Sequence, residues 1–305
     1  VVWALAACVA QETATPIPTA TRPAPSLPPA ATPVPTPSPR PALDRFAQGR
    51  RLGRGVNLGN ALEAPREGEW GMVLEAAFFE RIAAAGFDTV RVPIRWSAHA
   101  ATDLPYAIDE PFFRRIDWVV DQALANDLNV VINMHHYNPL YEDPAEHEAR
   151  FLSMWRQIAE RYRERPDALY LELLNEPHDN LTPRRWNALL ARVVAAIREV
   201  DPYHTIVVTG AAWGGVDGLR ELEVPPGESN YVCSFHYYEP FLFTHQGAEW
   251  VGPEYGTLGV TWPGPPETPV EPNPEAQAVD WVTRWFRRYN EVESKHNPAG
   301  DRKSV

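Results

Sequence analysis

The stretch Leu169-Tyr170-Leu171-Glu172-Leu173-Leu174-Asn175-Glu176-Pro177-His178 decides the fold. A short apolar run that stops at a turn proline reads as a strand buried on both faces. Such a strand delivers a carboxylic acid, Glu176, at its C-terminal end. The bland alternative is a glutamate that caps the next segment beside the proline.

The same pattern recurs on either side. Strands are expected over 55–59, 88–94, 129–134, 168–174, 205–209 and 231–235. Helical periodicity separates them over 74–85, 111–126, 146–164 and 183–200, with a last helix over 275–293. Strand–helix alternation with β-branched, near-continuous apolar strands implies a parallel sheet wrapped by helices. The expected architecture is α/β, a closed TIM (β/α)₈ barrel of which about six βα units are legible. A doubly wound open sheet is the second choice. Polar residues separate the two, because barrels build their sites just after strand C-termini. Here Asn60 follows the first strand, Arg95 and Trp96 the second, and His135-His136-Tyr137 the third. Asn175-Glu176 follows the fourth, Trp213 the fifth, and His236-Tyr237-Tyr238 the sixth. The first strand is not followed by a Gly-rich phosphate loop, which weakens a nucleotide-dependent open-sheet enzyme.

The chain has 305 residues, enough for one large domain or two small ones. Its net charge of −12 argues against nucleic acid, which requires a basic surface. Eleven Trp and eleven Tyr serve either core packing or a wall of aromatic faces for neutral rings. The two cysteines, Cys8 and Cys233, lie in different regions and make no disulfide framework. Cys233 reads as a buried thiol inside its strand. No apolar run reaches the ~20 residues that span a bilayer.

Residues 1–8, Val-Val-Trp-Ala-Leu-Ala-Ala-Cys, resemble the end of a lipoprotein-type signal in which Cys8 is lipidated. A chance small-residue stretch in an ordinary secretory signal is the alternative. Residues 9–42 carry eleven prolines and three charges, and read as a disordered, semi-extended tether. The expected layout is therefore a partial signal at 1–8, a linker at 9–42 and a catalytic barrel at 43–305. The expected location is extracellular or cell-surface, with membrane contact only through a lipid on Cys8.

Glycosidic bonds break through an oxocarbenium-like transition state served by two carboxyl groups. One protonates the leaving oxygen. In retaining enzymes the other, ~5 Å away, attacks the anomeric carbon. Glu176 suits the acid, because burial at an aromatic strand end favours the protonated form. Asn175 beside it can hydrogen-bond a sugar hydroxyl. Arg91, a charge inside a strand, either supports a catalytic carboxylate or forms a structural ion pair. His135 and His136 could ligate a metal with His236 or His147, but adjacent histidines in a strand point to opposite faces. Sugar contacts and hydrogen-bond wiring suit them better, and neither metal nor cofactor is expected.

Together these segments resemble the family 5 glycoside hydrolases, in particular their thermophilic endoglucanase branch. The resemblance rests on Gly53-Arg54-Gly55-Val56-Asn57-Leu58-Gly59-Asn60-Ala61-Leu62-Glu63, on Val90-Arg91-Val92-Pro93-Ile94-Arg95-Trp96 and on Val131-Ile132-Asn133-Met134-His135-His136-Tyr137. It rests further on Leu174-Asn175-Glu176-Pro177-His178, on 236–241 and on 244–250, and covers about residues 43–296. It implies an eight-stranded barrel and retaining hydrolysis of β-1,4-glucan, sometimes also of mannan, by a monomer. It also implies Glu176 as acid/base and Asn175 as the 2-OH contact, with Arg91, His236 and Tyr238 lining the catalytic centre. Asn60, Glu63, His135, His136, His245 and Trp250 are implied as substrate contacts. Trp213 is a candidate sugar platform on position alone.

One feature departs from the family. Its nucleophile sits in a Gly-Glu-Phe-Gly-like motif on a seventh strand, and no such strand is legible before Val305. The lookalike Pro253-Glu254-Tyr255-Gly256 falls among Gly and Pro in a long loop, where a carboxylate is not held to the required geometry. The expectation is a C-terminally truncated chain without a nucleophile and without double-displacement activity. A non-catalytic glucan-binding protein is the competing reading.

Overall fold

The computed structural model describes residues 43–248 and 259–261. Six strands form one sheet: β1 (Gly55–Asn57), β2 (Thr89–Val92), β3 (Asn129–Asn133), β4 (Leu169–Glu172), β5 (Thr205–Thr209) and β6 (Tyr231–Ser234). They pair in parallel and in chain order, β1 through β6. A doubly wound sheet reverses its strand order at a switch point. The unbroken order is the progression of a (β/α)₈ barrel, with six of its strands among the described residues. There, β1 and β6 each pair on one side only.

The crossovers are α2 (Ala76–Ala84), α3 (Glu110–Ala125), the pair α4 (Asn138–Glu142) and α5 (Pro144–Tyr162), α6 (Pro183–Arg198) and α7 (Val216–Arg220). A short α8 (Phe241–Thr244) follows β6. Five of the six strands are shorter than their apolar runs. Past Asn57 and Glu172 the chain leaves the ladder, although Leu58 N–H still donates to Arg91 O and Leu173 N–H to Val207 O. The signal at 1–8, the tether at 9–42, Trp250, Glu254 and the expected helix at 275–293 lie outside the described residues.

Alternation along the strands separates two faces. Val90, Val92, Val130, Ile132, Leu169, Leu171, Ile206 and Val208 face the helices and join the main core with Ile116, Phe151, Trp155 and Trp186. Val131, Tyr170 and Val207 point the other way and pack with Leu52 in a second cluster. Both faces of the central strands β3, β4 and β5 are covered, so these read as nearly continuous apolar runs. The charged residues on the inner face, Arg91 and Glu172, pair with each other, and Asn57 accepts from Arg91.

Leu52 belongs to α1 (Arg45–Leu52), a helix the sequence pattern did not announce. Its Arg-Phe-Ala-Gln-Gly-Arg-Arg-Leu sequence has no apolar stripe. It docks by hydrogen bonds instead. Tyr170 Oη donates to Gln48 Oε1 at 2.5 Å, and the Thr89 hydroxyl donates to Leu52 O at 2.5 Å. Asn129 Nδ2 donates to Arg51 O at 2.9 Å. The helix therefore covers the N-terminal ends of the central strands, opposite the end that carries Glu176.

Three buried tryptophans hold that other end. Trp96 Nε1 donates to Asn133 O at 2.9 Å, Trp155 to Leu173 O at 2.9 Å and Trp186 to Thr209 O at 2.7 Å. These carbonyls lie at or just past the ends of β3, β4 and β5. Leaving a buried carbonyl unmatched costs ~1–3 kcal/mol, so each indole fixes a strand end as well as filling the core. Core packing thus accounts for these three tryptophans, whereas Trp70 and Trp213 remain 45% and 58% exposed.

Candidate active site

A cavity of about 790 Å³ runs along the inner face of the sheet, from Leu52, Gly53 and Thr89 to the C-terminal strand ends. Asn57, Glu63, Arg91, His135, Glu172, Asn175, Glu176, His236 and Tyr238 all contribute to its wall. Parallel strands stopping together bring these residues, spread over more than 180 positions of sequence, to one rim.

Glu176 stands just beyond β4, and His236 just beyond β6. His236 Nδ1 lies 2.6 Å from Glu176 Oε1. The Tyr238 phenol also meets Glu176. Burial pushes its pKa up, and the Glu176 charge adds to that while Arg91 opposes it. Tyr238 is therefore a neutral O–H donor facing the carboxylate.

Arg91 settles between its two readings by combining them. Nε and Nη2 donate to the two oxygens of Glu172 at 2.6 and 2.7 Å. Nη2 also donates to Asn175 Oδ1 at 2.7 Å, and Nη1 to Asn57 Oδ1 at 3.1 Å. Burial works against the guanidinium charge, but Glu172, then Glu176 and Tyr238, raise its pKa overall. A guanidinium only donates, so Asn175 must turn its oxygen toward Arg91. Its Nδ2–H₂ donors are left for the cavity.

His135 is oriented by the same logic. Asn133 Oδ1 accepts from Ile94 N–H at 3.2 Å, so Asn133 Nδ2 is the donor toward His135 Nδ1 at 3.1 Å. The imidazole proton then sits on Nε2. Burial, followed by Arg91, His136 and His236, pushes the His135 pKa down to about 2, which keeps the ring neutral.

The remaining expected contacts are placed less directly. Glu63 is buried in the wall, where its carboxylate accepts the Asn60 and Ala61 N–H groups and braces the turn after β1. Asn60 adopts φ 63° in that turn and is not on the cavity wall. His136 lies edge-on to His135 with centroids 4.7 Å apart, and faces Trp70. Trp213 stacks on His178 at 5.3 Å and 10°. His245 stacks on Phe241 and meets Tyr238 edge-on at 4.9 Å. His136 and His245 are thus one ring removed from the cavity wall, through His135 and Tyr238, whereas Trp213 contacts His178, which is not part of that wall. Among the described residues no three His, Cys, Asp or Glu side chains are close enough to share a metal ion. Burial pushes the Cys233 thiol up to about 11, so it stays protonated within β6.

Several residues of the site went unassigned in the sequence. Glu172 was visible as a charge inside an apolar strand, the same signal that marked Arg91, and the two are partners. Asn57 and Asn133 occupy strand positions where an amide signals an inward hydrogen bond. His178 and Gly214 gave no such sign. His178 Nδ1 pairs with the Glu176 carbonyl. Gly214 O accepts from His236 N–H at 2.8 Å.

Comparison with known proteins agrees with this geometry. The sequence profile of Cellulase (glycosyl hydrolase family 5) matches residues 53–292. A structure of Thermotoga maritima Cel5A in complex with cellobiose is 48% identical, with a TM-score of 0.76, covering 81% of this chain and 79% of that one. A second structure of that protein, with mannotriose, is 47% identical over the same shares, with a TM-score of 0.76. Endoglucanase H of Acetivibrio thermocellus is 34% identical over 249 residues, which are 82% of this chain. The chain spans about a quarter of that relative's length, 26%.

Proposed function

Because this chain belongs to the cellulase family, glycosyl hydrolase family 5, we propose that it is an endoglucanase that cleaves β-1,4-glucan with Glu176 as acid/base. The observation that carries the proposal is the placement of Glu176 at the end of β4, bonded to His236 within the 790 Å³ cavity. In the retaining reaction Glu176 gives its proton to the glycosidic oxygen as the C1–O bond breaks. A second carboxylate attacks C1 and forms a glycosyl ester. Glu176, now ionised, takes a proton from water as that water attacks C1 and releases the carboxylate.

His236 holds one oxygen of Glu176 and so orients the group for both proton transfers. Asn175, turned by Arg91, offers its N–H₂ to a sugar hydroxyl, and the neutral His135 offers Nε2–H. Among the described residues, the carboxylates on the cavity wall besides Glu176 are Glu63 and Glu172. Glu63 is occupied by two backbone N–H groups and Glu172 by Arg91. Neither is assigned as nucleophile. That occupation favours a second reading, a glucan-binding protein without turnover.

Incubation of the purified chain with soluble cellulose and cello-oligosaccharides tests both. Release of reducing ends with retained anomeric configuration, lost in Glu176→Gln, supports the enzyme. Saturable oligosaccharide binding without hydrolysis supports the binding protein. Absence of both removes glucan from the account. Mannan in parallel assays reads the substrate range.

A further inference from the structure

We infer that Trp70, with His136 beneath its edge, forms an outer stacking site that grips a glucan chain one ring beyond His135. The inference rests on the glucan reading of the cavity and extends it to chain length.

Trp70 is 45% exposed although it lies in a loop held rigidly on both sides. It sits between Gly68 at φ 89° and Gly71 at φ 84°, conformations that glycine adopts without strain. Gly68 N–H donates to Met72 O and Gly71 N–H to Gly68 O, each at 3.0 Å, closing a tight turn around the indole. The base of that turn is fixed on α3. Glu67 accepts two bonds from Arg115 at 2.8 Å and one from Leu74 N–H at 2.8 Å. Arg115 also donates to Leu74 O at 2.6 Å. A turn tied this firmly to the helix layer nonetheless presents its largest apolar side chain outward.

The direction of presentation is informative. The Trp70 ring stands 6.0 Å from His136 at 72°, and His136 stands 4.7 Å from His135 at 80°. His135 is on the cavity wall. Three rings therefore run from the cavity to the surface without a break. Burial, then Arg95, pushes the His136 pKa down, which favours a neutral ring beside an uncharged sugar. Met72 and Val73, 37% and 51% exposed, widen the apolar lip. Exposed apolar groups that continue a binding cavity mark an extension of it, and a tryptophan offers a large rigid face at small entropic cost.

Calorimetric titration with cello-oligosaccharides of increasing length tests the inference. The comparison is Glu176→Gln, which prevents consumption of the ligand, against Trp70→Ala/Glu176→Gln. Cellobiose affinity is expected to be equal in both. The longest soluble oligosaccharide should bind about tenfold more weakly without Trp70. Trp70→Phe, which keeps a ring face, should recover most of the loss. Equal affinity at every length, or equal weakening at every length, overturns the inference. If the Glu176→Gln parent binds no oligosaccharide at all, the glucan reading itself fails and this site falls with it.

Discussion

His236 Nδ1 and Glu176 Oε1 meet at 2.6 Å across the cavity, although 60 residues separate them in sequence. The bond joins the ends of β4 and β6 at the carboxyl group proposed to carry the proton. Glu176→Gln keeps the shape of the side chain and removes its acid. It should lower kcat on soluble cellulose by about 10²–10⁴-fold with little change in KM. His236→Ala should lower kcat less, because Glu176 remains but loses its orientation. Equal kcat in the wild type and Glu176→Gln would falsify the assignment.

Arg91 and Glu172 make a stability prediction. The pair is largely buried, with two parallel bonds at 2.6 and 2.7 Å. Arg91→Met leaves the Glu172 carboxylate without its cation and should destabilise the fold by about 3–5 kcal/mol. The double variant Arg91→Met/Glu172→Gln should recover part of that, since no unpaired charge remains buried. Urea unfolding of the three proteins measures both effects. A single variant as stable as the wild type would show that the pair contributes nothing.

Gly214 links the strand ends to the loop that carries Trp213. Ala212, Trp213 and Gly214 all have positive φ, at 56°, 56° and 69°. A Cβ on Gly214 would lie 2.9 Å from Thr209 Oγ1 and 3.7 Å from the His236 ring. Gly214→Ala should cost about 1–2 kcal/mol from the left-handed backbone alone, with the contact to Thr209 adding to it. Because Gly214 O accepts from His236 N–H, kcat should fall as well. Thr209→Ala in the same chain should restore stability only in part, as it relieves the contact and leaves φ unchanged. Full recovery of the melting temperature would place the whole cost in the contact.

The barrel order was legible because buried parallel strands carry their pattern openly: Thr205-Ile206-Val207-Val208-Thr209 is a strand at both ends of its expected range. Polar residues at strand ends identified Glu176, Asn175, His135, His236 and Tyr238 as neighbours in the cavity wall. What escaped was docking without apolar signal. Helix α1 is fixed by Gln48 and backbone carbonyls, which no periodicity reports. Glu172 passed within its apolar run without a role, and only the folded register places it against Arg91. Trp70 lies in a turn whose purpose depends on where Arg115 holds it. Pairings of this kind span loops of tens of residues, and local sequence carries no record of the partner.

His135 supplies a prediction in pH. Its folded pKa is pushed down to about 2, first by burial and then by Arg91, His136 and His236. In the unfolded chain a histidine titrates near ~6.5. Between these values the unfolded state binds a proton that the folded state refuses, so stability rises with pH across that window. The contribution is complete above about pH 6.5 and is lost progressively as the solution is acidified toward the folded value, by at most ~1.4 kcal/mol per pH unit. His135→Gln removes this single term. Its unfolding free energy, set against the wild type in urea at about pH 7, 6, 5 and 4, should therefore show a flatter acid limb. In the native protein the His135 ring should keep the chemical shifts of a neutral imidazole with its proton on Nε2, from about pH 8 down to about pH 4. A ring that titrates near its ordinary value would mean that neither the burial nor the Asn133 bond to Nδ1 holds as described.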